Sequence, residues 1–455
     1  MIHKYKKFNY YIVLDVNSGS VHVVDEITYR LLDFYDDDGN ADIKAINELE
    51  NIYDKEEIRE ASSEIENLYK AGVLFAPDKH KELAKNLNKQ VNIKALCLHV
   101  AHDCNLSCEY CFANKGDYTG NKGLMSFEVG KAAIDFVIKA SGSRKNIEID
   151  FFGGEPLLNF ENTCKILEYA EKKGKENNKL FRFTITTNGV LLSDDKITYI
   201  NEHMSNIVLS IDGRKQVNDN VRKRLDGSGT YDSIMPKFKK VAKSRNQDNY
   251  YVRGTYTGLN LDFAKDVIHL ADEGFLQISI EPVVAPEGCG YELNEEDLPK
   301  LFEEYDKLAD EMQKRNREGR GFNFFHFMID LTGGPCAIKR ISGCGAGHEY
   351  VAITPEGDIY PCHQFVGQEQ QKIGNVLDGT LDMKRCEEFA SFNVYSKEAC
   401  SSCWARFYCS GGCLATSANY AGGLDKPYKI GCELEKKRVE CAIALKVDEM
   451  FAKNV

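Results

Sequence analysis

Cys104-Asn105-Leu106-Ser107-Cys108-Glu109-Tyr110-Cys111 places three cysteines within eight residues, directly after an apolar run at residues 95–100. The run reads as a strand, so the cysteines fall on the loop leaving its carboxyl end. Three thiolates this close converge on one metal centre, yet they supply one ligand fewer than a closed zinc or iron–sulfur site takes. The site therefore leaves a coordination position for another group.

Composition narrows what that group serves. The chain has 455 residues, 43% apolar and 28% charged, as in a globular protein of roughly two to four domains. A formal charge of −12 argues against a general nucleic-acid or anionic-membrane binder. No opening apolar h-region and no bilayer-length apolar run is present, so the expected location is the cytoplasm. Sixteen cysteines then need another account than disulfides, which a reducing cytosol does not keep. None falls in the first 96 residues and ten lie between Cys336 and Cys441. That clustering is the pattern of metal sites.

Working outward, residues 1–80 form a unit of two short β-rich runs (10–16 and 21–25) and three helical stretches (27–35, 43–49 and 55–69), a small winged-helix pattern with a hairpin edge open to strand addition. Residues 81–93 read as a polar linker. From 94 to about 320, six apolar strand candidates (95–100, 147–152, 181–187, 206–212, 250–256 and 275–281) alternate with amphipathic helices. Six β/α repeats are too few for a closed eight-stranded barrel, so the expected fold is α/β: a partial (β/α)6 TIM-like barrel with its site at the carboxyl ends of the strands. Residues 321–455 form a cysteine-rich carboxyl-terminal domain.

The spacing C-x₃-C-x₂-C at Cys104, Cys108 and Cys111, with the aromatic Tyr110 and the strand before it, resembles the signature of the radical S-adenosylmethionine (SAM) superfamily. The resemblance implies that the three thiolates hold a [4Fe–4S] cluster whose fourth iron is chelated by SAM. An electron from the cluster then cleaves SAM to a 5′-deoxyadenosyl radical, which abstracts a hydrogen from substrate. The rival is a partial zinc site. Gly153-Gly154-Glu155-Pro156 resembles the family's GGEP motif, whose glycines admit the SAM amino group and whose glutamate accepts from it. Thr187 and Asn188 end the third strand, near the ribose in relatives, and Ser210 ends the fourth. Arg222 is the expected partner of the SAM carboxylate, with Arg224 as rival. No catalytic acid or base is assigned, although Glu281 faces the right side.

Cys344, Gly357 and Cys362, then Cys400-x₂-Cys403-x₅-Cys409-x₃-Cys413 and Cys432, resemble the seven-cysteine SPASM domain; two zinc knuckles are the alternative. The resemblance puts Cys400, Cys403, Cys409 and Cys432 on one auxiliary [4Fe–4S] cluster and Cys344, Cys362 and Cys413 on another, three clusters in all. Two cubanes take eight thiolates. The eighth is either Cys336 or a substrate thiolate. Cys97, Cys164 and Cys441 read as buried thiols, Cys289 and Cys386 carry no assignment, and His363 beside Cys362 reads as a surface imidazole, with tuning of a cluster as the alternative.

The amino-terminal extension resembles a precursor-peptide recognition element, and the chain as a whole resembles maturases of six-cysteine (SCIFF) peptides, which form sactipeptide- or ranthipeptide-type thioethers. The resemblance implies a cysteine-rich precursor peptide as partner, its leader on the amino-terminal domain, and an external electron donor such as flavodoxin or ferredoxin. The alternatives are a formylglycine-forming enzyme like the anaerobic sulfatase maturases, and a non-catalytic iron–sulfur peptide-binding scaffold.

Overall fold

The structure is a computed structural model and describes residues 1–42, 46, 49–85, 87, 91–118, 122–332 and 337–452. It opens with an antiparallel sheet in the order β1 (Ile2–Lys7), β2 (Tyr10–Asp15), β3 (Val21–Val24). The first strand, Ile-His-Lys-Tyr-Lys-Lys, was not expected. Its three lysines hide an alternation that its pairing with β2 makes plain. The helix Glu26–Leu31 and the short 3₁₀ turn Leu32–Phe34 take the place of one expected helix. The helix Lys55–Lys70 starts on a capping box between Asp54 and Glu57. The helix expected at 43–49 lies largely outside the described residues.

Tyr10-Tyr11-Ile12-Val13-Leu14 explains how this unit is seated. Successive strand side chains point to opposite faces. Val13 packs with Leu31, Ile58 and Ile65 of its own helices, while Ile12 and Leu14 pack with Val394, Phe407, Val439 and Ile443 from the carboxyl-terminal third. The sheet is buried on both faces. Inside the expected linker, His80–Lys85 forms a helix, with His80 against the Phe407 ring; Asn86 and residues 88–90 lie outside the described residues.

The central sheet is laid down by β4 (Ala95–His102), β7 (Asn146–Gly153), β8 (Leu180–Thr187), β9 (Asn206–Ser210), β11 (Tyr250–Tyr256) and β12 (Gln277–Pro282), with two-residue β6 (Gly123–Leu124) on β4 and β13 (Asn323–Phe324) on β12. Each main strand is parallel to its neighbour. These are the six expected repeats; β11 has the expected bounds and the other five differ by one or two residues at one end or both. Two further short strands, β5 (Leu106–Cys108) and β10 (Arg222–Arg224), pair antiparallel above the mouth. The strands alternate rather than running apolar throughout. Ile147, Ile149 and Phe151 of β7 face the helices, and Glu148, Asp150 and Phe152 the other side.

The sheet does not end at β4. The strand β14 (Tyr350–Ile353) pairs parallel with it, and β15 (Asp358–Tyr360), β16 (Gly374–Asn375) and β17 (Thr380–Leu381) follow antiparallel. One sheet therefore joins the barrel to the cysteine-rich region. The last helix, Lys429–Ala452, packs on Leu298–Arg317 and carries Cys432 at its start. Among the described residues, no helix is long and apolar enough to cross a membrane.

Candidate functional site

The cysteine loop is pinned at the mouth of the barrel by its own backbone. Arg222 lies opposite Cys108 in the β5–β10 ladder, and Arg224 opposite Leu106. Leu106 N donates to Cys104 Sγ at 3.4 Å, and Asn188 Nδ2 approaches the same sulfur at 3.8 Å while donating to Asn105 Oδ1 at 2.8 Å. N–H donors aimed at sulfur suit a thiolate. Burial pushes the Cys104 thiol up to about 12 and the Cys108 thiol up to about 11, with Arg222 opposing the latter. A bound cation is what would make these thiolates at neutral pH.

Gly153 and Gly154 serve the chain's own packing. A Cβ on Gly153 would stand 2.2 Å from the Ala101 carbonyl oxygen, and one on Gly154 2.2 Å from that of Asp103. Their absence lets Gly154 N donate to Ala101 O at 2.8 Å and Glu155 N to Asp103 O at 2.9 Å. The expected approach to a ligand is thus joined by a closer one, between the end of β7 and the cysteine loop. Glu155 is fully buried and accepts from Thr187 Oγ1 at 2.6 Å, Asn188 N at 2.8 Å and Leu157 N at 3.0 Å. Burial raises its pKa, and those donors oppose the rise.

The rival arginines separate cleanly. Arg224 donates to Ser233 Oγ at 2.7 Å, away from the loop. Arg222 is buried, donates to Tyr110 Oη at 2.7 Å, and stands 3.9 Å from Asp212. Tyr110 Oη in turn donates to both Asp212 oxygens, at 2.9 and 2.7 Å. Arg222 Nε is buried with no hydrogen-bond partner, a donor left for a ligand. Asp212, two residues past Ser210, is fully buried and was not among the expected site residues. Ser210 is half-buried, beside Arg253 in the β9–β11 register.

Below the mouth the inner face of the sheet carries groups that spacing alone did not assign. Asp150 is pushed up to about 7 by burial, against the pull of Arg253 and Thr186, and its Oδ1 has no hydrogen-bond partner. A carboxylate inside the apolar stretch Ile147–Phe152 was itself a signal, since charge is costly there. Glu281 pairs with Arg253 at 2.7 Å and lies 4.0 Å from His326. Burial would raise its pKa, but Arg253 and His326 outweigh that and hold it below the usual range. His363 is no surface imidazole. Its Nδ1 lies 2.9 Å from Tyr350 Oη and its ring packs on Phe112 and Phe152.

In the carboxyl-terminal third the thiols sort into two groups by mutual repulsion of their ionised forms. Cys413 raises the pKa of Cys344 and Cys362, Cys344 raises that of Cys362, and Cys400 and Cys403 raise those of Cys409 and Cys432, each on top of the larger effect of burial. Among the described residues, no three His, Cys, Asp or Glu side chains gather closely enough to chelate a single ion. A cubane spreads its thiolates over four irons, whereas zinc gathers them around one. Cys336 lies outside the described residues. Cys97 and Cys441 are buried as expected, Cys386 is buried too, and Cys164 is only half-buried, beside Tyr199.

Residues 94–234 match the family model of a 4Fe-4S single cluster domain, and residues 344–404 the SPASM model, an iron-sulfur cluster-binding domain. This is a radical SAM protein with a SPASM domain. Its cofactors are SAM and several [4Fe–4S] clusters. A cysteine-type anaerobic sulfatase-maturating enzyme of Clostridium novyi is 25% identical over 77% of this chain and 95% of its own length. The fold is that of native anSMEcpe with bound AdoMet and Cp18Cys peptide (23% identity, TM-score 0.63, 80% of this chain and 100% of that one). It is also that of Streptococcus suis SuiB bound to precursor peptide SuiA (18% identity, TM-score 0.51, 93% of this chain and 97% of that one).

Proposed function

We propose that this radical SAM protein is an enzyme acting on peptides, and that it installs thioether bridges, cysteine sulfur to carbon, in a cysteine-rich precursor peptide. The observation that carries the reading is the amino-terminal sheet. Among the described residues its edge strand β3 is paired on one side only, with β2, and offers the other side to a leader by strand addition. The likeness to SuiB, a structure bound to its precursor peptide, spans 93% of this chain against 80% for anSMEcpe, and supports the same reading. SCIFF peptides are the substrate class the sequence favours.

Cys104, Cys108 and Cys111 would hold the SAM-binding cluster, Cys400, Cys403, Cys409 and Cys432 one auxiliary cluster, and Cys344, Cys362 and Cys413 the other, completed by Cys336 or a substrate thiolate. When bound, the first cluster and SAM supply a 5′-deoxyadenosyl radical that takes a hydrogen from the acceptor residue. Glu155, already anchored by three protein donors, would receive the SAM amino group, with Gly153, Gly154, Thr187, Asn188 and Ser210 lining the approach. Arg222 would turn its unpartnered Nε to the carboxylate, and Tyr110 holds that guanidinium in place. Asp150, with one free oxygen and a pKa of about 7, is the candidate to take the proton of a substrate thiol near neutral pH.

A second reading is formylglycine formation, which the length of the match to the sulfatase-maturating relative favours. One experiment separates these readings. Reconstituted protein is incubated with SAM, dithionite and a leader-bearing cysteine-rich peptide, and 5′-deoxyadenosine and peptide mass are both measured. Thioether formation removes two hydrogens per bridge and keeps every sulfur. Formylglycine formation removes a sulfur. A scaffold without turnover releases no 5′-deoxyadenosine.

A further inference from the structure

Lys397 begins the short helix Glu398–Ser401 and is 2% exposed. Its ammonium donates to Gly411 O at 2.8 Å. No carboxylate of the described residues forms an ion pair with it, unlike the buried arginines, Arg222 with Asp212, Arg315 with Glu311 and Asp272, and Arg406 with Asp78. The other buried lysine, Lys179, also bonds backbone carbonyls, those of Gly142 and Arg144, but lies far from the cysteine sets along the chain. The groups of opposite charge that act on Lys397 are cysteines: Cys400, Cys409, Cys413 and Cys432. Three belong to the four-cysteine set and Cys413 to the neighbouring one. Burying an ammonium without a partner costs several kcal/mol, so a fold that keeps one has its counter-charge elsewhere.

We propose that Lys397 is the counter-cation of the auxiliary iron–sulfur site, placed to stabilise the cluster's reduced state. The inference rests on the reading that Cys400, Cys403, Cys409 and Cys432 hold a cluster. A cubane held by four thiolates carries net negative charge, and reduction increases it. A fixed cation nearby, in a medium of low dielectric, favours the more negative state and raises the reduction potential. The bond to Gly411 O fixes where the charge sits. Gly411 lies on the Cys409–Cys413 turn, where Ser410, Gly411 and Gly412 all take positive φ, so the same side chain reaches the segment that links the two cysteine sets. Lys397 acts on the cluster through its charge and does not touch substrate. It is a positioning and tuning residue.

The test compares Lys397→Gln, Lys397→Met and Lys397→Arg with the parent, each as the reconstituted full-length protein. Iron content and the midpoint potential of the reduced-cluster EPR signal are both measured. The same series with Cys104, Cys108 and Cys111 changed to alanine removes the barrel cluster, so that the remaining signal belongs to the auxiliary sites. The expected result is full iron in Lys397→Gln with a midpoint shifted to more negative potential, an equal or larger shift in Lys397→Met, and a near-parental potential in Lys397→Arg. A parental midpoint in Lys397→Gln at full iron would overturn the proposal. So would loss of iron in Lys397→Met alone with parental potentials in the other two, which would make the side chain a hydrogen-bonding brace. Loss of iron in Lys397→Arg as well as Lys397→Gln would assign it to packing and equally overturn the proposal. A parent protein that binds only the barrel cluster's iron would instead refute the underlying cluster reading.

Discussion

At the barrel mouth the buried cation, Arg222, stands beside Asp212 and Tyr110; in the cysteine-rich region the buried cation, Lys397, stands beside a backbone carbonyl and four cysteines. The first charge has a carboxylate beside it; the second, among the described residues, has no carboxylate partner. The mouth is thus held by contacts of the protein with itself. Its loop is held by the β5–β10 ladder, the Gly153 and Gly154 contacts and the Glu155 donors. The SPASM region has short helices and turns around its thiols, and its buried cation is the one proposed to be balanced by a cluster.

The comparison is broken most severely by removing the thiols of one region at a time. Changing Cys104, Cys108 and Cys111 to alanine should abolish 5′-deoxyadenosine release while leaving about two thirds of the iron in place, two cubanes of three; loss of all iron would mean that the regions do not load separately. Next in size is Asp212→Ala, which strands Arg222 and Tyr110 without their acceptor. Breaking one partner out of a buried pair costs ~3–5 kcal/mol, so denaturant unfolding of the apo-protein should show a loss of that order, and Asp212→Asn a smaller one. An unaffected Asp212→Ala protein would deny that the mouth balances its own charge.

Gly154→Ala tests the backbone contact. With the Asp103 oxygen 2.2 Å from the new methyl, overpacking of ~1–3 kcal/mol is expected, together with weaker SAM binding in equilibrium dialysis. The smallest effect belongs to Asp150→Asn. The Asp150 carboxyl titrates near pH 7 in the fold and near 3.9 when unfolded. The folded state therefore holds the extra proton between those values, and stability falls as pH rises through that window. Removing the charge should raise the apo-protein's melting temperature by ~2 °C at pH 8 and leave it unchanged at pH 3, while crosslinking slows if Asp150 is the proton acceptor. A gain that is independent of pH would refute the assignment.

The sequence made the sixfold alternation of strands and helices legible because each strand is a short β-rich segment bounded by turn residues and separated from the next by an amphipathic helix. The cysteine groups were legible because ligands close in space are also close along the chain. Arg222 and Tyr110 were legible as residues, but their contacts with each other and with Asp212 were not, because they join distant segments: Arg222 meets Tyr110 across 112 residues and Tyr110 meets Asp212 across 102. The charge of Arg253 likewise bears on Asp150 only once β7 and β11 share a sheet. The strand β1 stayed hidden behind its lysines, and the double burial of β2 could not be foreseen without knowing that the carboxyl-terminal third would cover its second face.

Iron counted against the cysteine sets tests the central claim most directly, that three thiol groups hold three clusters in two differently built regions. Anaerobic reconstitution of the full chain should give about twelve irons per protein, falling by about four when Cys104, Cys108 and Cys111 are replaced and by about four when Cys400 and Cys403 are replaced. A reconstituted chain with about four irons, all lost with the first set, would contradict it.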